Sequence, residues 1–119
     1  MGPIRISVPG APRYVATLRL FVGGLARQAG CDDEGVADLK LAVSELATAV
    51  VEAGSEVIEV TADLDGDGLV VRLPSAAPRP DQLFDPVEIA KALVDGCSVA
   101  NGEVILTVLE SAGRRDPVR

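Results

Sequence analysis

The side chain best placed to do chemistry in this sequence is the carboxylate of Glu45, in the middle of a mostly apolar run from Leu39 to Ala53. In such surroundings a carboxylate lies either at a solvated edge of a helix or in a cleft where it has a task. On a helix, residues 45 and 49 lie one turn apart on the same face and could both point at one ligand. Ala49 brings only a methyl group to that pair.

Two other sets of residues suggest a metal site, and in both cases the sequence argues against it. The segment Asp63–Gly68 spells D-x-D-G-D-G, which resembles the start of a calcium loop, but Pro74 occupies the twelfth position, where a bidentate Glu is needed. We therefore favour a polar turn there. The chain has two cysteines, Cys31 and Cys97, and no histidine. Two cysteines alone cannot form a standard structural zinc site within one chain. The lack of histidine excludes a histidine general base.

A long helix must position Glu45. Apolar residues recur at steps of three and four, which places them on one stripe of a helix; they are Val36, Leu39, Val43, Leu46 and Val50. The acidic residues 32–34 supply an N-cap and a negative first turn, and Gly54 suits the C-terminal stop. Leu41 and Val51 fall off the stripe, so we expect this helix to be covered on more than one side.

The rest of the chain alternates between short strands and two further helices. The predicted strands cover residues 4–8, 56–62, 68–73, 97–100 and 103–109, and the other helices cover residues 12–29 and 86–94. The order β-α-α-β-β-α-β-β predicts an α+β two-layer sandwich with an antiparallel or mixed sheet. We assign residues 1–110 to a single domain and residues 111–119 to a polar C-terminal tail.

The first predicted helix contains two features that its core stripe does not explain. Gly23 and Gly24 stand in its middle, where each costs about 1 kcal/mol against Ala, so the helix either bends or is approached closely there. Leu20 points away from the core stripe, in line with Arg13, Gly24 and Arg27. An isolated exposed Leu is normal on a surface, and a contact with a partner is the alternative.

Composition narrows the class of protein. The chain has 119 residues, 48% of them apolar and 3% aromatic, so its core must be built from Val, Leu, Ile and Ala. A net charge of −7 without a cluster of Lys or Arg argues against binding to nucleic acid or to an anionic membrane. No apolar run approaches the roughly 20 residues of a membrane helix, and we expect a cytoplasmic protein.

The central helix also carries a recognisable motif. Residues 42–50, A-V-S-E-L-A-T-A-V, resemble the first ATP-site motif, A-x-x-E-L-x-T-N-A, of the anti-sigma-factor serine kinases in the histidine kinase-like (Bergerat) ATPase superfamily. The resemblance implies that Glu45 occupies the position of the general base and that Thr48 belongs to the nucleotide site. It also implies that Ala49 replaces the Asn that holds Mg²⁺. The family's fold matches the predicted element order from Ile4 to Leu109.

Two further stretches depart from that family. The connector Pro74–Pro80 stands where the family has D-x-G-x-G, whose Asp binds adenine and whose glycines admit the nucleotide. The segment Pro80–Pro86 has no glycine and no room for the ATP lid. Because phosphoryl transfer depends on holding the phosphates and the metal, we interpret Glu45, Thr48 and Ala49 as vestigial, assign no metal or cofactor, and favour a protein that is not an enzyme.

Three functions remain open at this stage. The first is a regulatory protein-binding module, resembling an anti-sigma factor without ATP binding or kinase activity, whose partner is a sigma factor or an anti-anti-sigma-type antagonist. The second is an active serine kinase that uses ATP and Mg²⁺, and the third is a small-molecule sensor that uses the emptied cleft. The family's dimers also imply self-association, with Tyr14, Leu20 and Phe21 or the strand edge at residues 4–8 as candidate interfaces.

Overall fold

A computed structural model describes residues 2–77 and 80–110. The described residues form β1 (Ile4–Pro9), a 3₁₀ turn (Pro12–Tyr14), α1 (Val15–Gln28), α2 (Asp33–Glu52), β2 (Val57–Asp65), β3 (Gly68–Pro74), α3 (Pro86–Leu93), β4 (Gly96–Ala100) and β5 (Glu103–Leu109). This is the predicted order of elements. The predicted tail, residues 111–119, lies outside the described residues, and in the described ranges no helix is long and apolar enough to cross a membrane.

The strands form one antiparallel sheet in the order β1-β2-β3-β5-β4. Alternate residues of each strand face the helices, because side chains of a strand point to opposite faces in turn. The buried face carries Val8, Ile58, Val60, Leu69, Val71, Leu73, Val104 and Leu106. The other face is open and holds a shallow polar depression lined partly by Arg5, Glu59, Thr61 and Arg72. The predicted α+β two-layer sandwich is confirmed.

Helix α2 lies across the sheet between the two other helices. It begins where predicted, because the Asp32 carboxylate accepts a hydrogen bond from the Gly35 backbone N–H at 2.8 Å and so satisfies one of the unpaired N–H groups of the first turn. Packing against α1, α3 and the sheet confirms that the helix is covered on more than one side. Leu41, off the main stripe, is 47% exposed.

The turn between β2 and β3 is shorter than predicted. Strand β2 continues through Asp65, with Asp63 opposite Val70 and Leu64 opposite Leu69, so the predicted loop over residues 63–68 contracts to a two-residue turn. Sequence reasoning treated the aspartates as turn residues, but strand pairing overrides that preference. Because Asp63 lies in the strand ladder, the segment does not have the shape of a twelve-residue calcium loop. Asn101 and Gly102 form the turn between β4 and β5, with φ of 55° and 76°, as is typical of an Asn-Gly pair between two strands.

The two glycines of α1 have different surroundings, and the helix runs through both of them. Gly23 is buried, and a Cβ at that position would lie 3.1 Å from Lys40 Cδ. Gly24 is exposed, and a Cβ there would meet no heavy atom within 4 Å. The crossing of α2 therefore accounts for Gly23, while no contact within the described chain accounts for Gly24.

Candidate functional site

The contact between Lys40 and Gly23 fixes how α2 is rotated. Lys40 marks the flank that faces α1, and successive residues of an α-helix turn by about 100°. By that rotation Ala49 lies about 180° from Lys40 and Glu45 about 140° from it, on the side of α2 away from α1. Thr48 lies only about 80° from Lys40, toward α1 and solvent.

The three predicted site residues are neighbours on α2, and they differ in their surroundings. Glu45 and Ala49 are both half-buried and share one face of α2, as their spacing predicted, whereas Thr48 is exposed and lines a groove between α1 and α2. No described residue forms a hydrogen bond or an ion pair with Glu45. Its carboxylate is partly solvated, which avoids the cost of a buried unpaired charge.

Helix α3 packs against α2. Its start is well defined: the Asp85 carboxylate accepts a hydrogen bond from the Val87 backbone N–H at 2.9 Å, and Pro86 occupies the first turn. Ala42 on α2 and Ala90 on α3 are fully buried. Small side chains in both helices let the two axes approach closely.

The residues around Glu45 do not fit a magnesium nucleotide. Ala49 has no donor atom for the metal, and the segment between β3 and α3 contains no glycine to let a backbone wrap phosphates. The segment is anchored where it leaves β3, since the Ser75 backbone N–H donates to the Gly102 carbonyl oxygen at 2.9 Å. Within residues 2–77 and 80–110, no three Asp, Glu or Cys side chains come together as a metal site requires.

Two exposed apolar residues immediately before α3 were missed by sequence reasoning. Leu83 is 85% exposed and Phe84 is 67% exposed, although large apolar side chains are usually covered. A signal was present, because both stand in a short proline-bounded connector that has no periodic pattern to bury them. They lie in the segment Pro80–Pro86, where the family has an ATP lid for which we expected no room in this chain.

The groove between α1 and α2 was also missed. It has a volume of about 440 Å³ and opens to solvent, with a lining of Pro12, Val15, Ala16, Arg19, Thr48, Val51 and Glu52. Its existence depends on how α1 crosses α2, so no local pattern could reveal it. Thr48 was singled out for a different role.

The candidate interface residues of the first helix separate into two groups. Leu20 is 72% exposed, as its position off the stripe predicted. Tyr14 and Phe21 are half-buried and pack against the core, so they contribute less surface than the sequence suggested. The Arg13 guanidinium lies over the Tyr14 ring, 5.6 Å from its centroid. This cation–π contact stabilises the position of the Arg13 side chain at the start of the helix.

Both cysteines are free thiols. Cys31 is buried, and its Sγ donates to the Leu109 carbonyl oxygen at 3.6 Å. Cys97 is half-buried on β4, and its pKa is raised by burial, with Lys91 opposing the rise and Glu88 adding to it.

Comparisons with known proteins identify the family and support the fold. Residues 8–108 match a family model described as a histidine kinase-like ATPase domain. The serine-protein kinase RsbW of Listeria monocytogenes is 40% identical over 63 residues, which cover 50% of this chain and 40% of that protein. RsbW of Bacillus subtilis is 41% identical over 49 residues, which cover 41% of this chain and 31% of that protein. The matched segments thus span less than half the length of these relatives.

A solved structure agrees over most of the chain. The crystal structure of the RsbU and RsbW domains of Rv1364c from Mycobacterium tuberculosis superposes with a TM-score of 0.65 at 24% identity, covering 92% of this chain and 32% of that one. At this level of identity the likeness establishes the fold.

Proposed function

Because the chain belongs to the histidine kinase-like ATPase domain family, we propose that it is a regulatory protein-binding module of the anti-sigma-factor type that lacks ATP binding and kinase activity. Its similarity to RsbW serine-protein kinases supports the regulatory half of this proposal. In our proposal the protein acts in the cytoplasm, and its partner is a sigma factor or an anti-anti-sigma-type antagonist.

The observation that supports the loss of catalysis is Ala49, which is half-buried and lies one helical turn from Glu45 on α2, where the family has a metal-binding Asn. Phosphoryl transfer requires a held metal and held phosphates far more than covalent chemistry from the protein. With a methyl group at the metal position and no glycine-rich segment before α3, the retained Glu45 has no phosphoryl group to act on.

A binding function makes no such demand on the nucleotide site. A protein interface needs complementary shape and a few exposed anchors, and the described chain offers Leu20 on α1 and the pair Leu83 and Phe84 before α3. The net charge of −7 favours the approach of a basic partner. A sigma factor must carry basic surface to bind DNA, so it fits this requirement.

An active serine kinase is the second candidate, favoured by the retained Glu45 and by its partial exposure. A small-molecule sensor is the third, and the open groove between α1 and α2 is the cavity that favours it. The three functions differ in what they bind, so a direct binding experiment separates them.

The test is a binding assay with purified sigma factors and antagonist-type proteins from the organism that encodes the chain. We expect one of them to bind at micromolar concentration in low salt, without nucleotide and without transfer of phosphate. If that partner is a sigma factor, its association rate should fall steeply between low and physiological salt while a complex persists. Retention of none of these proteins in low salt would refute the proposal and favour the sensor.

A further inference from the structure

The two edges of the sheet differ in how they are protected against further pairing. Among the described strands, β1 and β4 stand at the ends of the sheet, so each presents a row of backbone N–H and C=O groups that can pair with another strand. Proteins protect such edges with charged side chains, prolines or bulges. Strand β1 has Pro3 just before it, Arg5 within it and Pro9 at its end, which makes it a poor template for pairing.

Strand β4 has none of these protective features. Residues 96–102 contain no proline and no charged side chain, in a chain with 24% charged residues. Each residue of β4 pairs with one residue of β5, so the strand has no bulge, and residues 98–100 are exposed. The outer side of β4 is therefore a regular, neutral edge to which another strand can add.

Val99 is the apolar side chain that the described chain leaves uncovered at this edge. It lies opposite Val104, which is fully buried, so both side chains point to the face of the sheet that the helices cover. Val99 is nevertheless 50% exposed, because it stands on the last strand of the sheet. A strand added beside β4 would place side chains next to Val99 and remove apolar surface from water.

We infer that the outer edge of β4 pairs antiparallel with β4 of a second copy of this chain, so that the two sheets become continuous. Such a twofold contact needs a segment that is complementary to itself. An axis beside Ser98 sets Ser98 against its equivalent in the second copy and Cys97 against the second Val99. Each exposed Val99 is then covered by a side chain on the same face of the joined sheet.

The charges around this edge allow two copies to meet. In the same register Asp95 of one copy lies opposite Asn101 of the other, so no like charges face each other along the strands. Beside the edge, Lys91 and Glu88 of α3 form an ion pair at 3.3 Å, and both lie near enough to act electrostatically on the Cys97 thiol. The surface that meets its copy is therefore close to neutral, although each chain carries −7.

The net charge gives this association a distinctive dependence on salt. Two chains of −7 repel each other at long range, and salt screens that repulsion. Self-association through β4 should therefore strengthen as salt rises, whereas binding of a basic partner should weaken. The inference concerns the chain alone and does not depend on the proposed function.

Sedimentation of the full chain over a wide range of concentrations tests the contact, with a matched pair of variants. Val99→Lys places a charge at the proposed interface, and Ile4→Lys makes an equal change at an apolar residue of the opposite edge that is 40% exposed. We expect a reversible dimer that is favoured at least twofold by physiological over low salt. Val99→Lys should weaken it at least tenfold and Ile4→Lys less than twofold, while neither lowers the melting temperature.

Disulfide crosslinking then tests the register. Residues directly opposite in an antiparallel pair have Cα atoms about 4.5–5.5 Å apart, within the range that a disulfide spans. In a Cys97→Ala background, Ser98→Cys should give a covalent dimer when oxidised glutathione accepts the two electrons and two protons of the thiols. Arg5→Cys on β1, in the same background, is the control and should remain monomeric.

Three results would overturn the inference. They are a monomer at every concentration, equal weakening by the two Lys variants, and crosslinking of Arg5→Cys that matches or exceeds that of Ser98→Cys. None of them bears on the proposed function, because a monomer can still bind a sigma factor or an antagonist. Failure of the wild-type chain to bind any such partner would refute the proposed function and leave the β4 contact standing.

Discussion

The aliphatic stem of Lys40 on α2 lies across Gly23 on α1, so closely that a methyl group at position 23 would stand 3.1 Å from Lys40 Cδ. This contact sets the rotation of α2 and hence the flank on which Glu45 and Ala49 lie. A flexible side chain makes the contact, so the helices can yield slightly there. One residue further along, at Gly24, nothing is near.

The two glycines therefore give a matched test of the packing. Gly24→Ala is expected to raise the free energy of unfolding by about 1 kcal/mol, because Ala is the better helix former and its methyl group meets open space. Gly23→Ala should gain clearly less, because the Lys40 stem must shift to admit the methyl group. Denaturant unfolding of both variants measures the difference. Equal gains would show that Lys40 does not pack on Gly23.

This pair also shows where sequence reasoning ends. The apolar stripe of α2 and its cap at Asp32 follow from local rules, and the structure confirms them. Gly23 and Gly24 are identical in sequence terms, and only the crossing of α2 tells them apart. The aspartates predicted a polar turn over residues 63–68, whereas pairing with β3 extended strand β2 through Asp65.

Some features of the candidate site likewise follow from the sequence, and others depend on how the helices pack. The side-by-side placement of Glu45 and Ala49 follows from a spacing of four residues on a helix. The groove that receives Thr48 depends on the angle between α1 and α2, which no local pattern encodes. The exposure of Leu83 and Phe84 depends on how the connector runs, although their place between prolines was a usable signal.

The thiol of Cys97 makes stability depend on pH at the alkaline end. Burial raises the pKa of Cys97 above its ordinary value, so the unfolded chain releases this proton at a lower pH than the folded chain. Below the unfolded pKa, about 8.5, the thiol is protonated in both states and contributes no pH dependence. Above it the unfolded state is favoured, and stability falls as pH rises toward the folded pKa.

Urea unfolding between pH 7 and pH 10 measures this dependence, with Cys97→Ala as the control. The wild-type chain should lose stability more steeply above pH 8.5 than the variant, whatever their difference at pH 7. The two proteins differ only at position 97, so the difference between their curves reports on the Cys97 thiol. Parallel curves would show that the Cys97 thiol is as solvated in the folded chain as in the unfolded one.

The partial exposure of Glu45 predicts a small effect of neutralising it. Glu45→Gln removes the charge and keeps the shape, and no described residue is paired with the carboxylate. We expect a change of less than about 1 kcal/mol in the free energy of unfolding, as for most surface substitutions. A chemical-denaturant curve gives the value directly. A larger loss would reveal a buried ionic contact for Glu45.

The last prediction concerns the nucleotide. We expect no useful affinity of the chain for ATP with Mg²⁺. Ala49 offers no atom to bind the metal, and the segment before α3 has no glycine to admit the phosphates. The Glu45 carboxylate repels the phosphates. Ala49→Asn alone should not restore binding, since it supplies one metal ligand and neither an adenine-binding Asp nor a lid. Titration calorimetry at millimolar ATP, with and without magnesium, measures both proteins. A magnesium-dependent dissociation constant in the micromolar range for the wild-type chain would return the active serine kinase to first place. The same result for Ala49→Asn alone would show that the metal position is the single missing element and that α3 leaves room for a nucleotide.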